Sequence, residues 1–327
     1  MRSIFRSTLL LAFAAGIAAL SMARACIGGV RSEKISELTP TATLHLGKTA
    51  DWVVSTDDAV WIGSTGPFAV HRIDPQTNRR IATVRLPGEP CAGLATGFGS
   101  LWIPLCAKPN RLAKVDLASN RLTRVFTIGP AAAEGGITTG AGSVWLVLDD
   151  QGSLARIDPG TGTVQQTIRL PPGSYNPLYA DGRVWVTHAA GSDITSVDAA
   201  AGILLATIPT GPGPRFLTVG EGAVWTLNQG DGSLTRIDLS NLAAVRSVDL
   251  RTPGHGGDIN HGAGMIWTTM PKAPLSLVDA ASATLKCRWT GPGGDSLTVG
   301  HGALWLTDYH RGTVSRIELA RVLANCP

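Results

Sequence analysis

Seven tryptophans, Trp61, Trp102, Trp145, Trp185, Trp225, Trp267 and Trp305, recur at steps of 41, 43, 40, 40, 42 and 38 residues. An acid follows each one 12 to 14 residues later: Asp74, Asp116, Asp158, Asp198, Asp238, Asp279 and Glu318. A unit of this size cannot bury its apolar faces alone, so the copies must pack on one another. Seven copies at a period of about 40–45 residues predict an all-β fold, a seven-bladed β-propeller of four-stranded antiparallel blades.

The repeat around Trp225 shows the local logic. Residues 216–219 read as an inner strand, and Gly220-Glu221-Gly222 turns the chain, since glycine accepts positive φ without strain. Second, third and fourth strands are expected at 223–227, 234–237 and 244–250. The acid ending the third strand is expected to bond backbone N–H groups of the next turn. The tryptophans are expected to fill the space between neighbouring sheets. Residues 41–46 look like a fourth strand with no repeat before them, whereas the seventh repeat reaches its third strand at 313–318 and the chain then nearly stops. The N-terminal strand should therefore complete the last blade, leaving no open seam. This reading gives a propeller over 41–320 and a tail over 321–327.

Arg2 and Arg6, an apolar run over 9–20 and Ala23-Arg24-Ala25 have the form of a secretory signal peptide over 1–25. The run is well short of the ~20 residues of a membrane span, so no span is expected. Cys26 follows the cut directly; a lipid-modified cysteine is the alternative there, and Ala23 and Arg24 count against it. Residues 26–40 read as a flexible leader. Cleavage would remove three arginines and no acid, leaving 25 basic against 24 acidic residues. Such a near-neutral chain offers no electrostatic case for nucleic acid. A periplasmic or secreted monomer is expected, in an oxidising compartment. Placing Thr96 opposite Leu101 carries Cys91 opposite Cys106, which predicts a disulfide. Cys287 and Cys326 are the next pair, leaving Cys26 odd, although spacing alone does not fix connectivity.

Segments such as Gly142-Ser143-Val144-Trp145-Leu146-Val147, followed by Leu154-Ala155-Arg156-Ile157-Asp158-Pro159-Gly160-Thr161-Gly162, resemble bacterial YVTN-type propeller repeats. The repeat style over 41–319 is similar to that of the streptogramin B lyases, seven-bladed propellers that open a cyclic peptide lactone with help from Mg²⁺. That resemblance implies a glutamate three residues after a tryptophan and a histidine eleven before it. Here the first position holds Ser64, Leu105, Leu148, His188, Asn228, Met270 and Asp308, and only Asp308 keeps a carboxylate. The second holds Ala50, Cys91, Glu134, Ser174, Pro214, Gly256 and Gly294, with His255 one residue away. The lyase set does not carry over intact.

In a propeller, the loops leading into the inner strands and those joining second to third strands share one face, around the channel. On that face the repeats stop agreeing. Trp52, Glu134, Asn176, His188, Arg215, Asn228 and Asp295 are candidate ligand-binding residues. Trp52 could serve as an aromatic platform, and Arg215 could clamp a carboxylate or phosphate. His255, Asp258, Asp308 and His310 are candidates for acid–base work. Asp149 and Asp150 could hold Mg²⁺ or Ca²⁺ through oxygen ligands, or form a solvated acidic turn. Three functions remain open: a channel-face binder of a small molecule or periplasmic protein, a metal-assisted lyase or hydrolase, and a structural propeller in an envelope assembly.

Overall fold

The computed structural model describes residues 26–27 and 30–326. The signal-peptide reading falls on residues 1–25 and lies outside them. Seven sheets surround an axis, each ordered antiparallel from an inner to an outer strand. Blade five is representative: Pro214–Gly220, Ala223–Asn228, Ser233–Asp238 and Val245–Asp249. Its second strand is buried at every position, whereas its outer strand is exposed at all but one. A strand with a sheet on either side buries both faces, which is why the tryptophan-bearing strands read as continuous apolar runs rather than alternating ones.

The Trp…Arg-Ile-Asp repeat resolves into two contacts. The cation two residues before the acid lies over the tryptophan of its own blade: Arg72 over Trp61 at 5.7 Å, Lys114 over Trp102 at 5.0 Å, Arg156 over Trp145 at 5.7 Å, Arg236 over Trp225 at 5.8 Å and Arg316 over Trp305 at 5.9 Å. A cation over an indole face contributes about 0.5–1 kcal/mol at such half-exposed sites. In blade four a serine, Ser196, stands at that position, and Arg183 covers Trp185 from the second strand instead, at 5.8 Å. The acid caps the turn as expected. Asp158 accepts the N–H groups of Gly160 and Thr161 at 2.9 and 2.7 Å, and Asp238 accepts that of Ser240 at 2.9 Å.

Ring closure follows the sequence expectation. Ala42–His45 pairs antiparallel with Thr313–Glu318, with Ala42 opposite Arg316 and His45 opposite Thr313. The preceding residues depart from their reading as a leader. Val30–Lys34 forms a fifth strand outside blade six, parallel to Thr284–Thr290, with Arg31 opposite Cys287. A 3₁₀ turn over Ile35–Glu37 then delivers Leu38 into the core shared by blades six and seven. The tail is likewise ordered: Leu319–Ala324 is a short helix whose Val322 enters that core, and Cys326 is bonded to Cys287. Apolar residues at Ile35, Leu38 and Val322 hold these segments, but they lie outside the 40-residue period and carry no repeat signal.

Cys91 and Cys106 are bonded, with Cα atoms 5.7 Å apart. Thr96 does face Leu101, yet that register does not continue to the cysteines. The inner strand of blade two breaks between Glu89–Pro90 and Ala95–Gly97, and Cys106 pairs with Glu89. The disulfide therefore closes across a loop beside the channel rather than across a regular ladder.

Candidate functional site at the channel mouth

Nine residues before each core tryptophan stand Trp52, Gly93, Gly136, Asn176, Phe216, Asp258 and Ser296. All seven line the axial channel, one from each blade. They do not repeat in size: two glycines leave room, and two aromatics fill it. The rings of Trp52 and Phe216 meet with centroids 6.1 Å apart and planes tilted by 55°. They are only 7 % and 5 % exposed, and they join a core cluster that includes Ile259 and Met270. Trp52 and Phe216 alone line both the cavity above and the chamber below, so together they form the floor of one and the roof of the other.

Trp52 reaches this place by leaving the ladder. Asp51 pairs with Gly63 and Val53 with Ile62, so Trp52 is the bulged residue, with φ +54°. A bulky L-residue rarely adopts that conformation, which costs about 1–3 kcal/mol. Burial of a large indole offsets that cost. In blade five a bulge between Pro214 and Phe216 sets Arg215 outside the ladder.

Above the aromatic floor is a mouth cavity of about 480 Å³. Five carboxylates line it, from Asp51, Glu89, Glu134, Asp295 and Asp308, with His255, Tyr309 and His310; no lysine or arginine does. Asp51 and Asp295 hydrogen-bond to each other. Burial raises the Asp51 pKa well above the usual carboxylate range, and the neighbouring Asp295 charge raises it further. Burial also raises Asp295, against the stabilising bond from Asp51. Two carboxyl groups in contact resist ionising together, and the stronger rise at Asp51 favours a shared proton on its side of the pair. At one rim, Arg215 donates to the Tyr175 hydroxyl and lies 4.1 Å above its ring, and it pairs with Glu134 at 3.3 Å. Its charge is thereby spent on neighbours.

Of the residues singled out in the sequence, Trp52, Glu134, His255, Asp295, Asp308 and His310 gather at this mouth. Asp258 and Asn176 line the chamber beneath it instead. Asp258 accepts bonds from the Ser296 hydroxyl at 2.6 Å and from the Ile259 and Leu297 N–H groups, while burial holds its pKa up at about 6. His188 and Asn228 line neither cavity. The His188 ring faces Asp193 at 3.3 Å. Asn228 is fully buried inside its blade, donating to Ser233 and Thr235 and accepting from Thr226. Asp149 caps its own turn through the Ser153 N–H at 3.0 Å, outside the mouth. Phe216 was not singled out in the sequence, although counting nine back from Trp225 finds it.

Among the described residues, no group of three or more His, Cys, Asp or Glu side chains is placed to hold a metal ion.

The geometry defines a seven-bladed β-propeller with a closed, acidic mouth. No protein-family model and no curated protein matches the chain. Solved structures do. A streptogramin B lyase structure superposes with a TM-score of 0.68 at 19 % identity, over 85 % of this chain and 96 % of that one. BamB from Moraxella catarrhalis superposes with a TM-score of 0.61 at 13 % identity, over 86 % and 97 %. Identities this low establish the shared fold, and one fold carries many functions. Among the described residues no helix is long and apolar enough to cross a membrane.

Proposed function

We propose that this protein is an exported propeller that binds a small, positively charged ligand at its channel mouth. One observation carries the reading: five acidic side chains and no lysine or arginine surround a cavity floored by Trp52 and Phe216. Acidic walls over an aromatic floor favour an ammonium or guanidinium group, through charge above and ring quadrupole below. The two disulfides support an oxidising periplasmic or extracellular location. A thermal-shift screen of spermidine, arginine and choline against glutamate and citrate tests it. Cations should raise the unfolding midpoint of the wild-type chain, and Asp295→Asn or Trp52→Ala should remove the shift. Equal shifts from cations and anions would reject it.

The second reading is a lyase or hydrolase, favoured by His255, Asp308 and His310 sharing the mouth with the Asp51–Asp295 pair. Such a pair presents one carboxylic acid and one carboxylate to a substrate, the two forms that acid–base chemistry requires. Ring opening of a cyclic peptide lactone, lost in His310→Gln and Asp308→Asn, would support it. A protein partner at the same face is the third reading, and capture of a peptide by the mouth rather than by the ring's outer edge would favour that one.

A further inference from the structure

We infer that the axial chamber beneath Trp52 and Phe216 binds an alkali-metal cation, held by Asn176 Oδ1 and the Asp258 carboxylate. This site is distinct from the mouth and does not depend on what the mouth binds. The chamber has a volume of about 190 Å³, and no lysine, arginine or histidine lines it.

Asn176 is 3 % exposed. Its Nδ2 donates to the Arg215 carbonyl at 2.7 Å, which settles which end of the amide is oxygen. That oxygen is buried and has no hydrogen-bond partner. It lies against Gly136, where a Cβ would stand 2.6 Å from it. Both residues line the chamber, and only a glycine at 136 leaves the Asn176 amide this position. A buried carbonyl oxygen left unpaired is destabilising, and something positive or proton-donating must answer it.

The Asp258 carboxylate adds the charge. Its Oδ1 accepts the Ile259 N–H at 2.8 Å; its Oδ2 accepts the Ser296 hydroxyl at 2.6 Å and the Leu297 N–H at 3.3 Å. Three donors on about four lone-pair sites leave room for one more partner. The Ser296 hydroxyl hydrogen is consumed by Asp258, and Asn260 Oδ1 is occupied by the Val299 N–H at 3.1 Å. Among the chamber's side chains, Asn176 Oδ1 and the last lone-pair site of Asp258 are the acceptors left without a donor, and the Asn260 amide N–H and Thr298 hydroxyl are its neutral polar neighbours. Ca²⁺ seeks six to eight oxygens with several carboxylates, and Mg²⁺ a strict octahedron. One carboxylate with neutral oxygens and water suits a singly charged ion.

The test compares thermal unfolding of the full chain in NaCl, KCl and N-methylglucamine chloride at matched ionic strength. Sodium or potassium should raise the midpoint saturably, by about 2–4 °C above the bulky cation. Asp258→Asn and Asn176→Ala should each abolish that difference, while Asp149→Asn, remote from the chamber, should retain it. Sodium-23 relaxation on the unmodified chain gives a second readout that needs no variant: a broadened, potassium-displaceable component is expected. Coincident unfolding curves for all three salts, or a sodium signal that potassium does not displace, would overturn the proposal and leave water as the chamber's guest. Persistence of the difference in both chamber variants would overturn it equally.

Discussion

Trp225 and Trp52 are both almost wholly buried tryptophans, yet one belongs to a ring of seven equals and the other to a ring shared with two glycines, an asparagine, a phenylalanine, an aspartate and a serine. The first sits on a regular second strand between sheets, with a cation over its face. The second sits at positive φ, bulged out of its strand and across the axis. The same contrast separates the aspartates. Asp74, Asp116, Asp158, Asp238 and Asp279, which end third strands, are half-buried and hydrogen-bonded to turn N–H and hydroxyl groups, which lower their pKa; the Ser240 hydroxyl and backbone hold Asp238 down at about 2. Asp51, Asp258 and Asp295, around the axis, have carboxyl groups shut away from water, and that desolvation raises theirs. Repetition thus marks positions that stabilise the ring. Loss of repetition marks positions that strain or destabilise it.

Removing a tryptophan from each ring should give the largest and clearest separation. Trp225→Ala should cost about 3–5 kcal/mol in denaturant unfolding, as for other buried aromatics cut to alanine. Trp52→Gly should cost less, because glycine relieves the positive φ at about 1 kcal/mol, and it should join the mouth to the chamber. A variant at Trp52 as damaging as that at Trp225 would break the comparison.

The next effect is a pH dependence of opposite sign in the two sets. With no alkali cation in the chamber, as in N-methylglucamine chloride, Asp258 has a folded pKa of about 6 and an unfolded value near 3.9. The native state therefore binds the extra proton between those values, and stability rises as pH falls through about 6 toward 4. Linkage puts the gain at about 2–3 kcal/mol, and Asp258→Asn should flatten that part of the profile. The turn aspartates act in the other direction: their stabilisation is present above the unfolded value and lost as pH falls through their lowered folded pKa. Unfolding followed from pH 7 to pH 2 should thus show a maximum on the acid side of neutrality. The smallest effect belongs to a single turn cap: Asp158→Ala should lower the unfolding midpoint only slightly, with no change in ligand response at the mouth.

The fold was legible because the tryptophan fills the same place in every blade and an aspartate caps the same turn in the first six, so selection for packing writes a period into the chain. Even the exceptions are readable, as when Arg183 replaces the missing cation at Ser196. The mouth was legible only in part. Trp52, Asp295, Asp308 and His310 stood out as breaks in the repeat, and they do meet. Asn228 and His188 were also breaks, but sequence position does not show which way a side chain points at a strand end, and Asn228 turns into its own blade. Phe216 was hidden because an aromatic in an apolar strand looks like core. The edge strand at 30–34 was hidden because a lone strand has no second copy to be compared with.

The pairing of Ala42 with Arg316 has a consequence for the order in which the molecule comes into being. The first strand of the ring has no partner within its own blade until the chain is almost complete, since its neighbour begins at Thr313. Closure is therefore a meeting of ends separated by nearly the whole sequence, the kind of contact that forms late and slowly. A chain cut before Thr313 would keep most of its blades and lose the clasp. It would present raw strand edges to any other chain it met, and aggregation rather than loss of a domain would be its fate.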